Sequence, residues 1–426
     1  MSDEGGKPTT ILPERARPGL FEAYGVEIET MIVDRSTLDV KPVCDRLMAA
    51  VSGSTDSEVE RGDLAWSNEL VLHVLELKTN GPAPSLVGLA DAFHRSMLEA
   101  GQALESLDAR LLPGPVHPWM DPDTETRLWP HEYTEVYHTF DRIFGCRGHG
   151  WANLQSTHLN LPFSDDGEFG RLHAAIRLVL PLIPAISAGS PYLDGKRAAH
   201  LDARLAAYRT NARRVPSVTG RVVPEPAFTR AQYEEEILGR IYRDLAPHDP
   251  DGVLRYEWAN ARGAIARFDR GAVEIRIIDA QECPAADLAV VAAVTTVVRA
   301  LTEGALAHRD PADDPDTDAL AALFDATVTD GEQAMVDDPA LLRILGLGGG
   351  ARSAADVWRR LLDAHPPADF DPVWTAPLEA ILGEGPLARR MLARAGDTPS
   401  RSGLSDLMRA LAEAQDANTP LGGSSR

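Results

Sequence analysis

Four short segments set acidic residues among apolar ones at the spacing of a β-strand. They are Gly25-Val26-Glu27-Ile28-Glu29, the stretch from Glu69 to Glu76 in NELVLHVLELKT, His158-Leu159-Asn160 in QSTHLNLPF, and Glu274-Ile275-Arg276 in GAVEIRIIDAQE. Residues i and i+2 of a strand share a face. Glu27 and Glu29 therefore point one way while Val26 and Ile28 point the other, and the same pairing joins His158 to Asn160 and Glu274 to Arg276. A solvated surface has no need to repeat this pattern between apolar runs. A divalent-metal site does, because Mg²⁺ takes oxygen ligands and keeps room for substrate phosphates. The pattern points to a metal–nucleotide enzyme.

Each segment also has a plainer reading. Glu27 and Glu29 taken alone fit the solvent face of an edge strand. Glu76 sits among apolar neighbours in LELKTN, and a buried carboxylate needs a cation or donors. Glu69 and Glu76, seven residues apart, fall on opposite faces of a regular strand, so either a bulge intervenes or one of them, Glu69, faces away. His158 fits a hydrogen-bonded histidine inside a sheet as well as it fits a ligand, and Asn160 fits a structural role equally. Glu274 and Arg276 could form a surface pair, but Val273, Ile275, Ile277 and Ile278 make that strand central. Phosphoryl transfer needs such a pair: the carboxylate holds Mg²⁺ and the guanidinium neutralises the moving group. Arg262 and Arg267, just upstream, join the list as phosphate contacts or as surface arginines.

The rest of the chain reads as α+β. Strands are expected over 21–33, 66–79 (one or two), 151–163 and 263–282 (two, turning at 269–271). Helices are expected over 46–52, 85–110 and 169–188, and from Pro284 onward, with loops at 310–318 and 346–350. Residues 53–63 read as polar and turn-like, and 189–232 as a wrap along one side of a cleft. Strands separated by long insertions, with helices collected late, argue against alternating βαβ units. No GxxxxGK[ST] or GxGxxG follows a strand. The division expected is a flexible arm 1–18, a catalytic domain 19–310, a helical region 311–418 packed on it, and a disordered tail 419–426.

The 42 basic residues face 64 acidic ones, a formal net charge of −22, which disfavours nucleic acid as a partner. An anionic nucleotide is compatible with that charge where Mg²⁺ and arginines invert the local sign. Cys44, Cys146 and Cys283 show neither disulfide nor zinc spacing. The opening MSDEGGKPTT does not read as a signal peptide, and no apolar run reaches membrane-spanning length. A cytoplasmic location without membrane partners is expected.

Taken in order, GVEIE, the Glu69–Glu76 stretch ending in Glu-x-x-Thr, THLNL, SAGSPYLDGK and VEIRIIDAQ resemble the glutamate–cysteine ligase family, type 2 branch, which includes proteins called carboxylate–amine ligases. The resemblance spans most of 20–305 and, more faintly, GPLARRML in the helical tail. It implies a glutamine-synthetase-like fold, a curved and mainly antiparallel sheet holding Mg²⁺ and ATP. It also implies metal ligation by Glu27, Glu29, Glu69, Glu76, His158 and Glu274. Arg276, with Glu274, would be catalytic and would act on the phosphates. Lys78, Arg262 and Arg267 would join it on the nucleotide, and Arg197, Arg204 and Asn160 would contact amino-acid substrates. Oligomeric state stays open, with a homodimer among the options. The chain departs from the commoner pattern at residues 208–225 and at THLNL, where an HVHV-like version is usual. Both regions bear on substrate choice, so the acceptor amine is not carried over. The same chemistry on a specialised metabolite or peptide, a non-catalytic nucleotide-binding relative, and a phosphohydrolase on another fold are the alternatives.

Overall fold

The structure, a computed structural model, describes residues 17–305, 315–367 and 369–422. The arm expected over 1–18 lies outside these residues except for its last two, as do most of the 310–318 loop and residues 423–426.

The centre is an antiparallel sheet of eight strands. They are β1 (Gly25–Asp34), β2 (Glu58–Arg61), β3 (Leu64–Asn68), β4 (Val74–Thr79), β5 (Ala109–Leu112), β6 (Ser156–Pro162) and, after a small hairpin of β7 (Tyr192–Leu193) and β8 (Lys196–Arg197), β9 (Ala264–Arg267) and β10 (Ala272–Asp279). The order is β2-β3-β4-β1-β6-β10-β9. The ten-residue β1 is long enough for two partners on one edge, so β6 covers Gly25–Ile28 and β5 covers Met31–Asp34. The mixed α+β class with an antiparallel sheet is as the sequence led us to expect.

One face of the sheet is apolar and fully covered. Val26, Ile28, Trp66, Leu75, Leu77, Leu159, Val273 and Ile275 join a single core with the helices laid over them. The helix Leu89–Glu105 buries Leu89, Ala90, Phe93, Met97, Ala100 and Leu104 at helical spacing. The indole of Trp66 donates to Ser96 Oγ on that helix at 2.7 Å, so its one polar atom is satisfied inside the core. The helix Pro284–Ala300 is apolar almost all round because it is wrapped on all sides. It belongs to the one described span, Pro284–Gly304, that is long and apolar enough to cross a membrane, and 83% of that window is buried inside the protein.

Several element boundaries differ from those expected. Residues 53–63 contain β2, an edge strand of sequence EVER. With no apolar alternation of its own, it is defined by pairing with β3. The helix expected to run to residue 110 stops at Glu105, and the chain turns through Asp108 in the left-handed region (φ 49°) before entering β5. The tail begins packed: Leu421 is buried, and its N–H donates to Glu282 Oε1 at 3.2 Å.

Candidate active site

The register of the sheet decides which polar side chains meet. Residues directly opposite on antiparallel strands share a face. Glu29 faces Glu76 on β4, which faces Ser67 on β3. Glu27 faces Lys78 on β4 and His158 on β6. Asn160 lies between Gly25 on β1 and Glu274 on β10. Three neighbouring rows of one face thus carry four glutamates, a lysine, a histidine and an asparagine. A Cβ on Gly25 would stand 3.0 Å from that of Asn160, so the glycine gives Asn160 its room.

Glu69 joins by a route the strand pattern did not contain. Residues 66–79 are two strands, β3 and β4, and Glu69 opens the turn that reverses the chain between them. Neither a bulge nor exclusion of Glu69 is needed. Glu29, Glu69 and Glu76 each offer a ligand atom within 4.8 Å of the others, and so do Glu27, Glu76 and His158.

Hydrogen bonds hold the cluster in place. His158 Nδ1 lies 2.8 Å from Glu27 Oε2, and Nε2 lies 3.0 Å from Ser156 Oγ. The Ser156 N–H donates to Glu29 Oε2 at 2.6 Å, and Ser67 Oγ donates to Glu76 Oε1 at 2.6 Å. Asn160 Nδ2 donates to Glu27 Oε1 at 3.1 Å. Lys78 Nζ reaches Glu58 at 2.7 Å and Glu76 at 3.5 Å. Arg276 Nε lies 3.2 Å from Glu274 Oε1, and Arg267 Nη1 donates to Glu274 Oε2 at 3.4 Å.

Charge is crowded here. Burial, then the carboxylates of Glu29 and Glu76, push Glu69 well above the usual carboxylate range. Burial likewise raises Glu29 against the pull of His158. Burial would lower His158, but the bond to Glu27 and the charges of Glu29, Glu27 and Glu274 outweigh it and lift the imidazole to about 9. Burial alone would raise Glu27, yet the hydrogen bond and charge of His158 hold it below its ordinary value. A set of oxygen donors with one imidazole, too crowded to be comfortable as bare anions, fits a hard divalent cation such as Mg²⁺.

The expected residues divide into those at this face and those elsewhere. Glu27, Glu29, Glu69, Glu76, His158, Asn160, Glu274, Arg276, Arg267 and Lys78 meet here. Arg262 does not: its guanidinium is taken by Glu225, at 2.5 and 2.7 Å, and by Ser217 O and Asn260 Oδ1, so it ties down the 217–225 segment. Arg197 sits on the exposed β8 and pairs with Asp397. Arg204 is buried, binding Asp279 through Nε and Ile277 O through Nη2 at 2.8 Å, yet it also lines the cavity above the acids.

That cavity, of about 260 Å³, runs from Glu29, Glu69, His158 and Arg276 to a wall on the far side. The wall was missed from sequence. Phe140, Trp151 and Trp258 form it, with Tyr137 at its edge nearest Glu69, while Tyr208 lines the cavity beside Arg276, and nothing in their local spacing brings them together. Ser156 was missed too, although its i−2 relation to His158 on a strand would have found it.

A model of glutamate-cysteine ligase family 2 matches residues 23–410. An uncharacterized protein of Archaeoglobus fulgidus is 36% identical over 281 residues, 66% of this chain and 74% of its own length. A Rubrobacter xylanophilus protein provisionally named glutamate–cysteine ligase 2-3 is 27% identical over 66% of this chain and 69% of its own. Among solved structures, the glutamate–cysteine ligase of Francisella tularensis in complex with AMP aligns with a TM-score of 0.59 at 12% identity, over 93% of this chain and 89% of that one. A bifunctional glutathione synthetase from Pasteurella multocida aligns with a TM-score of 0.54 at 12% identity, over 94% of this chain and 52% of its own. At such identity the likeness concerns the fold.

Proposed function

The chain belongs to glutamate-cysteine ligase family 2, and from that premise we propose that it uses ATP to join a carboxylate, the γ-carboxylate of glutamate first among candidates, to an amine. The observation that carries this reading is the convergence of Glu27, Glu29, Glu69, Glu76, Glu274 and His158 on one sheet face with Arg276 beside them. The AMP bound by the Francisella tularensis ligase supports nucleotide use.

A free carboxylate is a poor electrophile, which is why the reaction needs two steps. A carboxylate oxygen attacks the γ-phosphorus of ATP, the bond from phosphorus to the bridging oxygen breaks, and ADP leaves. The amine nitrogen then attacks the acyl carbon of the resulting acyl phosphate. The carbon–oxygen bond breaks, and the departing phosphate takes up the proton shed by nitrogen. Arg276, held by Glu274, neutralises charge on the phosphoryl group in transfer. Arg267 and Lys78 stand at the same face to meet the nucleotide, and Asn160 orients Glu27. Mg²⁺ held by Glu27, Glu76 and His158, by Glu29, Glu69 and Glu76, and by Glu274 beside them would screen the repulsion between carboxylate and triphosphate.

The test is ADP release from ATP and Mg²⁺ with L-glutamate and each candidate amine in turn, with products identified by mass. ADP that requires both glutamate and an amine, with a product of the γ-glutamyl-amide mass, bears the reading out. Phosphate release with no acceptor, or nucleotide binding with no turnover on any pair, overturns it.

A further inference from the structure

The cavity beside the acids has two unlike ends. At one end stand Glu29, Glu69, His158, Arg204 and Arg276, with the Tyr137 hydroxyl beside Glu69; the cavity is also lined by the ring cluster of Phe140, Trp151 and Trp258. Five of its 17 lining residues are aromatic, in a chain that is 6% aromatic. The rings touch one another: Phe140 lies 5.4 Å from Trp151 and 5.8 Å from Trp258, centroid to centroid. They are only half-buried, so they are not simply core. The Trp151 indole is already engaged with Asn211 O at 3.3 Å and the Tyr137 hydroxyl with Asn68 Nδ2 at 2.9 Å. What they offer to the cavity is ring surface.

Beside the charged end stands Tyr208. Its hydroxyl is buried and has no hydrogen-bond partner among the described residues, and it lies in the field of Arg276 and Arg204. An occupant that reaches from Arg276 to the rings would pass this hydroxyl and give it an acceptor. Of the groups assigned to the nucleotide, Arg276 lines the cavity, while Lys78 and Arg267 do not, nor does Asn160. The cavity thus meets the phosphoryl group at Arg276, where an acyl phosphate would form, and extends from there to the rings, the position for a second substrate.

We propose that this cavity selects an acceptor amine bearing an aromatic or bulky apolar group, which seats on Phe140, Trp151 and Trp258 while its nitrogen is directed at the acyl carbon beside Arg276. The inference rests on the ligase reading for its chemistry, but the cavity's preference stands on the rings. A thiol-sized side chain would leave the wall unfilled. An apolar pocket rewards each added methylene by roughly 10-fold or more in selectivity, and a full ring covers several methylenes' worth of area.

The experiment compares phenethylamine with ethylamine, and L-phenylalanine with L-cysteine and L-alanine. Each is offered with L-glutamate, ATP and Mg²⁺, and kcat/KM is read from product mass. Phenethylamine should exceed ethylamine by about 10-fold or more, and Trp151→Ala and, separately, the milder Phe140→Leu should each shrink that ratio. Cysteine or alanine as the best acceptor overturns the proposal. So does a Trp151→Ala that raises the KM for ATP while leaving the amine ratio unchanged, since the wall would then be holding adenine. Tryptophan fluorescence titrated with each amine in the absence of ATP gives an answer that needs no turnover. Tighter phenethylamine than ethylamine binding, lost in Trp151→Ala, upholds the wall even if the ligase reading fails, and equal binding of the two overturns it.

Discussion

On β1, Val26, Ile28 and Ile32 are shut against helices on one side of the sheet, while Glu27 and Glu29, a residue away in the chain, face the other. Burial is similar across the two sides: Glu29 is 6% exposed and Glu274 3%, beside 2% for Ile28. What differs is the return on that burial. Each apolar side chain removed from water contributes about 1.5–3 kcal/mol. Each carboxylate removed from water is a liability until a cation or donor meets it. Around Glu27 and Glu29 the two faces therefore do opposite things for stability, whereas farther along β1 the same side turns apolar again, with Met31 and Val33 buried in a second core. A mutation among the apolar residues should therefore act on stability, and one among the clustered acids on turnover.

The sharpest test of that division is Glu76→Gln, because Glu76 belongs to both ligand triads. Turnover should fall by roughly 10²–10³, while thermal melting without metal should hold or rise as like-charge crowding with Glu29 and Glu69 is relieved. A variant that melts early and keeps its rate would break the comparison. Next, Leu159→Ala on the covered face should lose about 2–5 kcal/mol in a denaturant titration, with kcat per folded molecule unchanged. A smaller effect is expected from Mg²⁺ itself. At one hundred times its dissociation constant it should stabilise the wild type by about 2.7 kcal/mol, and this gain should be reduced in Glu76→Gln.

The last test probes a titratable group buried on the apolar side. Burial, then the charge of Arg177, lowers the pKa of His173 to about 3, and its ring packs 5.4 Å from that of Phe169. Below about pH 6.5 the unfolded chain takes a proton that the folded one refuses. The contribution is thus full above that pH and is lost as pH falls towards 3, by about 1.4 kcal/mol per pH unit at most. His173→Phe should flatten this part of the acid limb, as read by melts between pH 6.5 and 4.

Strand alternation alone carried Glu27, Glu29, His158, Glu274 and Arg276 to a common face, because a strand's period translates directly into direction. It failed for Glu69, whose place depends on a reversal between β3 and β4 and not on a face. It failed for β2, whose EVER alternates nothing apolar. Arg262 and Arg197 were drawn in by nearness to the motifs in the chain, yet tertiary partners, Glu225 and Asp397, claim them. The ring wall is assembled from three separate stretches, and no window of sequence contains more than part of it.

That last arrangement bears on how such a protein can diversify. Tyr137 and Phe140 ride on the helix Thr134–Phe144, Trp151 on the short helix His149–Ala152, and Trp258 on the turn Glu257–Ala259. All but one of the acids at the site belong to strands, and the exception opens a tight hairpin. Descendants of this chain could exchange the guest by rewriting three surface pieces, with the reacting groups inherited intact. Divergence in what is joined and constancy in how it is joined would then be recorded in different parts of the gene.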